Sequence, residues 1–166
     1  DDMIKYLSGM KDFMLNPKEY STTGNREIDG VLNYMLQKAN KTLNQVDVQI
    51  NIPEDLYFNN FNICVILGNL VDNAVREASK SEEKQLTIKM QIKQEVLLIF
   101  IENSYSGKIL EKRNGLQTTQ PELAIHGIGL ENVKKVVIAN GGEIKIDYTS
   151  NRFCVQVLLY MSRIKN

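Results

Sequence analysis

Six consecutive apolar residues at positions 96–101, with the sequence VLLIFI, constrain the fold of this chain more than any other segment. The run is much shorter than the roughly 18 to 20 residues that cross a bilayer, and its length is typical of a strand. Successive side chains of a strand point to opposite faces of the sheet. Because this run is apolar on both faces, it is predicted to be a central strand.

The segments around this run show two different hydrophobic periods. Apolar residues alternate with polar ones, or predominate, in four further predicted strands: residues 46–52, 86–92, 143–148 and 153–160. They follow helical spacing at residues 1–15, 26–43, 62–79 and 131–140. Residues 103–129 are polar without a sustained period, which predicts a long functional loop. The predicted fold class is α+β: a two-layer α/β sandwich with a mixed, mostly antiparallel sheet of about five strands, covered on one face by helices.

Composition excludes several classes of function. Lys plus Arg number 20, Asp plus Glu number 20, and the formal net charge is zero, so no nucleic-acid partner is expected. One histidine, His126, and two separated cysteines, Cys64 and Cys154, do not suit a zinc site. The cysteines are predicted to be small buried side chains in a reducing compartment. No segment is typical of a signal peptide or a membrane span, so this chain is not expected to enter a membrane.

The predicted helix at residues 62–79 carries an unusual polar face. At about 100° per residue, Asn69, Asn73, Arg76 and Lys80 fall within about 60° of one another. Asparagine is unfavourable inside a helix because its side chain competes for backbone hydrogen bonds. An amide oxygen suits Mg²⁺, which keeps most of its waters and phosphate ligands. The face therefore predicts a site for a hard cation and a polyphosphate; a merely solvated face is the alternative.

The second feature is the sequence HGIGLENVK at residues 126–134. Its two glycines, Gly127 and Gly129, are predicted to close the polar loop and open the last helix. Free backbone N–H groups at a helix N-terminus bind anions, and glycine allows phosphate oxygens to approach closely. A simple tight turn is the alternative. The spacing does not fit a dinucleotide-binding fingerprint or a Walker loop.

Together, these segments resemble the ATP-binding catalytic domain of sensor histidine kinases, in the Bergerat-fold superfamily. Residues 69–74 (NLVDNA) are similar to the N-box and residues 127–130 (GIGL) to the second glycine box, and the resemblance covers roughly residues 25–161. It implies ATP and Mg²⁺ as ligands, with Asn73 binding the metal, and Arg76 and Lys80 as phosphate contacts. The residues implied to bind ATP are Asn69, Asn73, Arg76, Asn103, Gly107, His126, Gly127, Ile128, Gly129 and Leu130.

Within that superfamily the chain is most similar to Agr-type kinases that sense peptide pheromones, through Thr23-Gly24-Asn25, Ile28-Asp29, NAVREA and HGIGLENVK. This resemblance implies that residues 1–20 are the end of a dimerisation hairpin or a linker, and that residues 21–166 are the catalytic domain. The implied partners are the kinase's own dimerisation and phosphoacceptor domain and a downstream response regulator. The full-length protein is then expected to be a homodimeric bacterial membrane sensor, with this domain in the cytoplasm and a role in quorum sensing.

The departures from the family pattern are informative. Asn103 stands where an Asp is expected to bind the adenine amino group, Tyr105 replaces the first glycine of that box, and Gly107 keeps the second. An Asn oxygen can still accept a hydrogen bond, but without the added strength of a charge. Asn69 stands where hydrolysing relatives have a general-base Glu. Because an amide cannot take a proton from water, transfer to a presented side chain is favoured over ATP hydrolysis.

Two alternative functions are carried forward. Residues 108–125 are similar to the ATP lid, but Gln120 stands where many relatives have a Lys. This change and the altered first glycine box are consistent with a degenerate nucleotide-binding module that does not transfer phosphate. An anti-sigma-type Ser/Thr kinase on the same fold is the other alternative, although such relatives keep an acidic residue at the position of Asn69.

Glu77 is expected on the core side of its helix, where a carboxylate needs a partner.

Overall fold

The computed structural model describes residues 23–106, 109–112, 115–118 and 121–161, with side chains at 23–106 and 129–161. Its three helices are α1 (Arg26–Thr42), α2 (Asn60–Lys80) and α3 (Pro121–Ala139). Its strands are β1 (Gln45–Asn51), β2 (Gln85–Lys93), β3 (Val96–Ser104), β4 (Ile109–Lys112), β5 (Gly115–Thr118), β6 (Glu143–Tyr148) and β7 (Arg152–Tyr160). The helix predicted at residues 1–15 lies outside the described residues, so the division at residue 20 stays a prediction.

The main sheet has five strands in the order β1-β2-β3-β7-β6. β1 pairs with β2 in parallel, and the other three pairings are antiparallel. β3 therefore lies at the centre, as its apolar sequence predicts. The mixed, mostly antiparallel sheet of the predicted fold class is confirmed, and β4 and β5 form a separate antiparallel hairpin.

The core lies between one face of this sheet and the helices. On β3 the alternate residues Leu97, Ile99 and Ile101 are at most 2% exposed, and they pack in one cluster with buried residues of α1 and α2. Each such side chain contributes roughly 1.5–3 kcal/mol when fully buried. On the other face, Phe100 is half-buried, and the Lys89 ammonium lies 5.7 Å from the centre of its ring. A cation and its methylene stem therefore lie over an apolar position on the face opposite the helices.

The start of α1 is tied to the start of α2. Asn25 caps α1 by accepting a hydrogen bond from the Ile28 N–H (3.2 Å), and its amide donates to Asn60 Oδ1 (3.1 Å). The Asp29 carboxylate accepts hydrogen bonds from the backbone N–H groups of Thr23 and Gly24. These residues, quoted above for their similarity to one kinase subfamily, thus have a structural role in joining the two helices.

Replacing Asn25 with alanine is expected to lower the free energy of unfolding by about 2 kcal/mol, the upper end for an N-cap, because the side chain is buried and bonds two elements. Asn59 is the control, since it caps α2 from an exposed position. Asn59→Ala is expected to cost about 1 kcal/mol or less. Urea unfolding of both variants measures the difference, and equal losses would contradict the linking role of Asn25.

The long loop predicted at residues 103–129 is wrong in part. β3 continues to Ser104, a short hairpin follows, and α3 begins at Pro121 rather than at residue 131. Proline suits the first position of a helix because the missing N–H has no intrahelical partner there. The first part of this helix was not predicted from the sequence because it contains two glycines, which are unfavourable in a helix interior. Gly127 and Gly129 consequently lie inside α3, so the free backbone N–H groups expected of a helix N-terminus are not found there.

The helix α3 ends in a glycine cap. Gly141 has a φ of +68°, and the Gly142 N–H donates to the Val137 carbonyl (2.9 Å). A Cβ on Gly142 would collide with the carbonyl oxygen of Leu158, so α3 returns closely against β7. No helix within the described ranges is long and apolar enough to cross a membrane.

Candidate nucleotide-binding site

A cavity of about 1130 Å³ lies between α1, α2 and the described part of α3. In the first half of α2 its lining includes Phe61, Cys64 and Val65, and in the second half Asn69, Asn73 and Arg76. The cavity therefore runs from an apolar end to the polar face predicted from the sequence. Cys64 is half-buried in this wall while Cys154 is buried, so the prediction of two buried thiols is confirmed only for the second.

Gly129 of α3 lies directly against the two asparagines of α2. A Cβ built on Gly129 would be 3.2 Å from Asn73 Nδ2, closer than most side chains pack, and 3.5 Å from Asn69 Oδ1, an ordinary contact distance. The structure thus brings Gly129 to residues 60 and 56 positions earlier that the sequence assigns to the same site. Any larger residue at position 129 would fill the space beside both amides.

The amide groups of the two asparagines have different environments. The Asn69 amide donates to the Val65 carbonyl one turn earlier (2.8 Å), which turns its oxygen toward α3. The Asn73 oxygen accepts a short hydrogen bond of 2.6 Å from Nη2 of Arg76. The oxygen predicted to bind a metal is therefore engaged by a guanidinium in this structure, and the guanidinium would have to turn away for the metal to bind.

Arg76 has incomplete partners in this arrangement. Its Nη2 also lies 3.6 Å from the Asp72 carboxylate, and that carboxylate is shared with Lys38 of α1 at 3.1 Å. Its Nε is buried without a hydrogen-bond partner among the residues that the structure describes. A buried N–H donor of a cation with no acceptor is unfavourable, so the site is suited to an anionic ligand.

Some predicted site residues lie elsewhere or outside the described part. Lys80 pairs with Glu77 (3.5 Å), whose side chain is 16% exposed, and neither lines the cavity. Glu77 therefore has the core-side position and the charged partner that the sequence suggests, whereas Lys80 is not among the groups facing the asparagines. Leu130 packs partly buried against the core. The structure describes only the helical backbone at His126, Gly127 and Ile128. Gly107 lies outside the described residues.

Asn103 lies at the end of β3 on the face of the sheet that carries the helices. It is 4% exposed, and its Nδ2 donates to the Ser104 carbonyl (2.9 Å), which leaves its own carbonyl oxygen as an acceptor. Ser104 is held in turn, because its hydroxyl bonds to Ser81 (2.6 Å) and accepts from the Gln85 N–H (2.9 Å). Asn103 does not line the cavity described above, so it is a separate buried polar residue near α2.

Tyr105, which replaces a glycine of the family pattern, is the residue whose environment was least predictable. It is 5% exposed and its ring centre lies 6.3 Å from that of Phe153, yet its hydroxyl has no hydrogen-bond partner within the described residues. Burial, and secondarily the nearby Glu77 carboxylate, raise the pKa of this hydroxyl above its ordinary value. The sequence signal is a large polar aromatic residue in a glycine position.

Comparison with known families agrees with this geometry. The family model of the GHKL domain matches residues 58–160, which is more than half of the chain and includes both asparagines, the end of β3 and Gly129. The chain therefore belongs to the GHKL domain family. No curated protein matches the chain significantly in sequence.

Solved structures agree with the family assignment at the level of the fold. The catalytic domain of histidine kinase ThkA matches with a TM-score of 0.63 at 17% identity, over 84% of this chain and 93% of that chain. Acinetobacter baumannii histidine kinase AdeS matches with a TM-score of 0.62 at 18% identity, over 96% of this chain and 76% of that chain. Mycobacterial sensor histidine kinase MprB matches with a TM-score of 0.55 at 16% identity, over 80% of this chain and 95% of that chain. The predicted fold of histidine kinase catalytic domains is confirmed.

Proposed function

We propose that this chain binds Mg²⁺-ATP between α2 and α3 and transfers the γ-phosphoryl group to a histidine of the kinase's own dimerisation domain. The observation that carries the proposal is the contact of Gly129 with Asn69 and Asn73, since it leaves an uncovered backbone beside two amides and a cation. Phosphate groups need that combination of close backbone approach and hydrogen-bond donors. The fold shared with histidine kinase catalytic domains supports the same assignment.

The phosphate end of the site depends on Asn73 and Arg76. When ATP binds, the Arg76 guanidinium is expected to leave Asn73 and bond to phosphate oxygens, which also provides an acceptor for its orphan Nε. The released Asn73 oxygen is then the protein ligand of Mg²⁺. Bound there, the metal would neutralise negative charge on the phosphates. Three or more His, Cys, Asp or Glu side chains do not converge anywhere in the described part, which fits a metal held mainly by phosphate and water.

The base end of the site is assigned to Asn103. Its carbonyl oxygen is the natural acceptor for the 6-amino group of adenine, because its Nδ2 is already bonded to the Ser104 carbonyl. The remaining ATP-binding residues, His126, Gly127, Ile128 and Gly107, are proposed on the family pattern alone. Lys80 would have to leave Glu77 to contact phosphate, and we give it no role in the ground state.

The proposed transfer needs positioning and charge stabilisation more than a base from this chain. A nitrogen lone pair of the neutral imidazole attacks the γ-phosphorus, the bond from that phosphorus to the bridging oxygen breaks, and ADP leaves. The ring proton on the other nitrogen is lost to water afterwards. Asn69 therefore needs only to position groups, and its amide is unable to activate a competing water.

The wider context is proposed from the sequence resemblance. An Agr-type, peptide-sensing homodimer in a bacterial membrane, with this domain in the cytoplasm and a response regulator downstream, is the assembly that the motifs favour. Residues 1–20 would join this domain to the dimerisation hairpin. These assignments specify where the acceptor histidine is to be sought, in a helix with the sequence His-Asp or His-Glu.

Radiolabelled ATP tests the proposed reaction. Incubated alone with γ-labelled ATP and Mg²⁺, this chain is expected to take up no label and to hydrolyse ATP negligibly; with a fragment carrying the kinase's acceptor helices, label is expected on that fragment. The label should be lost in mild acid, because a phosphorus–nitrogen bond on histidine hydrolyses there. ATP binding without transfer would favour the degenerate nucleotide-binding module, and acid-stable label on a protein substrate would favour a Ser/Thr kinase.

A further inference from the structure

Tyr105 carries a buried polar group that no residue in the described part of the chain bonds. The residue is 5% exposed, and its hydroxyl oxygen is buried without a partner in the described part of the chain. A phenylalanine would fill the same volume with no unpaired polar atom, so the described residues alone give no reason for the hydroxyl. Such a group is expected where a ligand provides the missing partner.

The position of Tyr105 places it beside Asn103. The Tyr105 N–H donates to the Asn151 carbonyl (2.9 Å), so the chain stays extended just after β3 ends. Because Asn103 and Tyr105 are two residues apart in this extended segment, their side chains share one face. The Tyr105 ring lies near Phe153, which is the cross-strand partner of Asn103. The Glu77 carboxylate, one helical turn beyond Asn73 on α2, acts on the Tyr105 hydroxyl. Tyr105 therefore lies beside Asn103 on the face of the sheet that carries the helices.

We propose that Tyr105 is a specificity-determining residue of the nucleotide site: its hydroxyl donates a hydrogen bond to N1 of adenine, next to the Asn103 oxygen that accepts from the 6-amino group. This inference rests on the proposed function, because it names a second contact to the base of the same ATP.

Both groups are held in the form that adenine requires. A tyrosine hydroxyl is protonated at neutral pH and can donate, and burial raises the pKa of the Tyr105 hydroxyl further. The Asn103 amide is fixed by its bond to the Ser104 carbonyl, since a flipped amide would bring two carbonyl oxygens together. Guanine and hypoxanthine present an acceptor at position 6 and a donor at N1, which is the reverse pattern. The pair therefore selects adenine without the carboxylate found in the family pattern.

An ATP analogue without the N1 nitrogen, 1-deaza-ATP, tests the contact on the unaltered chain. Calorimetric titration is expected to show wild type binding 1-deaza-ATP about fivefold to tenfold more weakly than ATP, as for the loss of one buried hydrogen bond. Tyr105→Phe is expected to bind ATP more weakly by the same factor and to bind the two nucleotides equally. In the absence of nucleotide, Tyr105→Phe is expected to melt at the same temperature as wild type or higher.

Tyr160→Phe is the matched control, because its hydroxyl bonds to Glu143 at the surface end of β7 and should not affect either nucleotide. The Tyr105 assignment is overturned if wild type binds ATP and 1-deaza-ATP equally, or if Tyr105→Phe still distinguishes them. Tight ATP binding with either result leaves the proposed function intact. A wild-type chain that binds neither nucleotide overturns both proposals.

Discussion

Asn73→Ala is expected to weaken Mg²⁺-ATP binding by about 100-fold, equivalent to about 2.7 kcal/mol, while the fold survives. The substitution removes the proposed protein ligand of the metal. It also removes the 2.6 Å acceptor that the Arg76 guanidinium is proposed to leave when ATP binds, so the lost affinity is assigned to the metal contact. Alanine is a better helix former than asparagine, so the stability of α2 should not suffer. Calorimetric titration with Mg²⁺-ATP measures the effect.

Two controls separate the metal from the fold. In EDTA, wild type and Asn73→Ala are expected to bind ATP with nearly the same weak affinity, because the metal contact is absent from both. Asn62→Ala removes an amide from the same helix, 11 residues earlier, where among the described residues it bonds to Asn140 at the end of α3 (3.2 Å). That variant should bind Mg²⁺-ATP like wild type. Equal Mg²⁺-ATP affinity in wild type and Asn73→Ala would overturn the metal assignment.

The regular elements were largely predictable from local patterns. The alternation in β2 and the continuous apolar run in β3 are direct consequences of burial on one or two faces, and helical spacing in α1 and α2 follows from their contact with a single core. The ends of these helices lie within two residues of the predicted ones. The pairing order, in which β7 lies between β3 and β6, was not predictable because nothing local specifies which strands become neighbours.

The start of α3 was missed for a physical reason. A helix with glycines at 127 and 129 loses both propensity and hydrophobic period, so its first ten residues are typical of a loop when considered alone. Its Pro121 is a start signal that only makes sense once a helix follows. Gly129 lies beside the two asparagines of the proposed site, but through close approach of α3 to α2 rather than through a free N-terminal amide.

Within the site, residue identity was more predictable than side-chain contacts. Helical geometry brings Asn69, Asn73 and Arg76 to one face, and the structure places all three in one cavity wall. The same geometry includes Lys80, but a contact with Glu77 three residues earlier orients it differently. The hydrogen bond from Arg76 to Asn73 depends on rotamers, which no sequence pattern specifies.

Gly129→Ala is expected to have opposite effects on stability and on function. Gly129 is helical and has no unusual φ, so alanine should stabilise α3 by up to about 1 kcal/mol, reduced by the displacement of Asn73 Nδ2 from a methyl group 3.2 Å away. The same methyl occupies the space beside both asparagines that the phosphates require. Affinity for Mg²⁺-ATP is therefore expected to fall at least about tenfold, or about 1.4 kcal/mol, in the same titration.

Gly30→Ala is the matched control for Gly129→Ala, because Gly30 is also a helical glycine and a Cβ there would meet nothing within 4 Å. It should gain the same helix propensity without any change in nucleotide affinity. Thermal unfolding and titration of both variants then separate the backbone effect from the steric one. If Gly129→Ala binds Mg²⁺-ATP as tightly as Gly30→Ala does, the phosphates do not lie between α2 and α3, and the nucleotide must be sought on another surface of the domain.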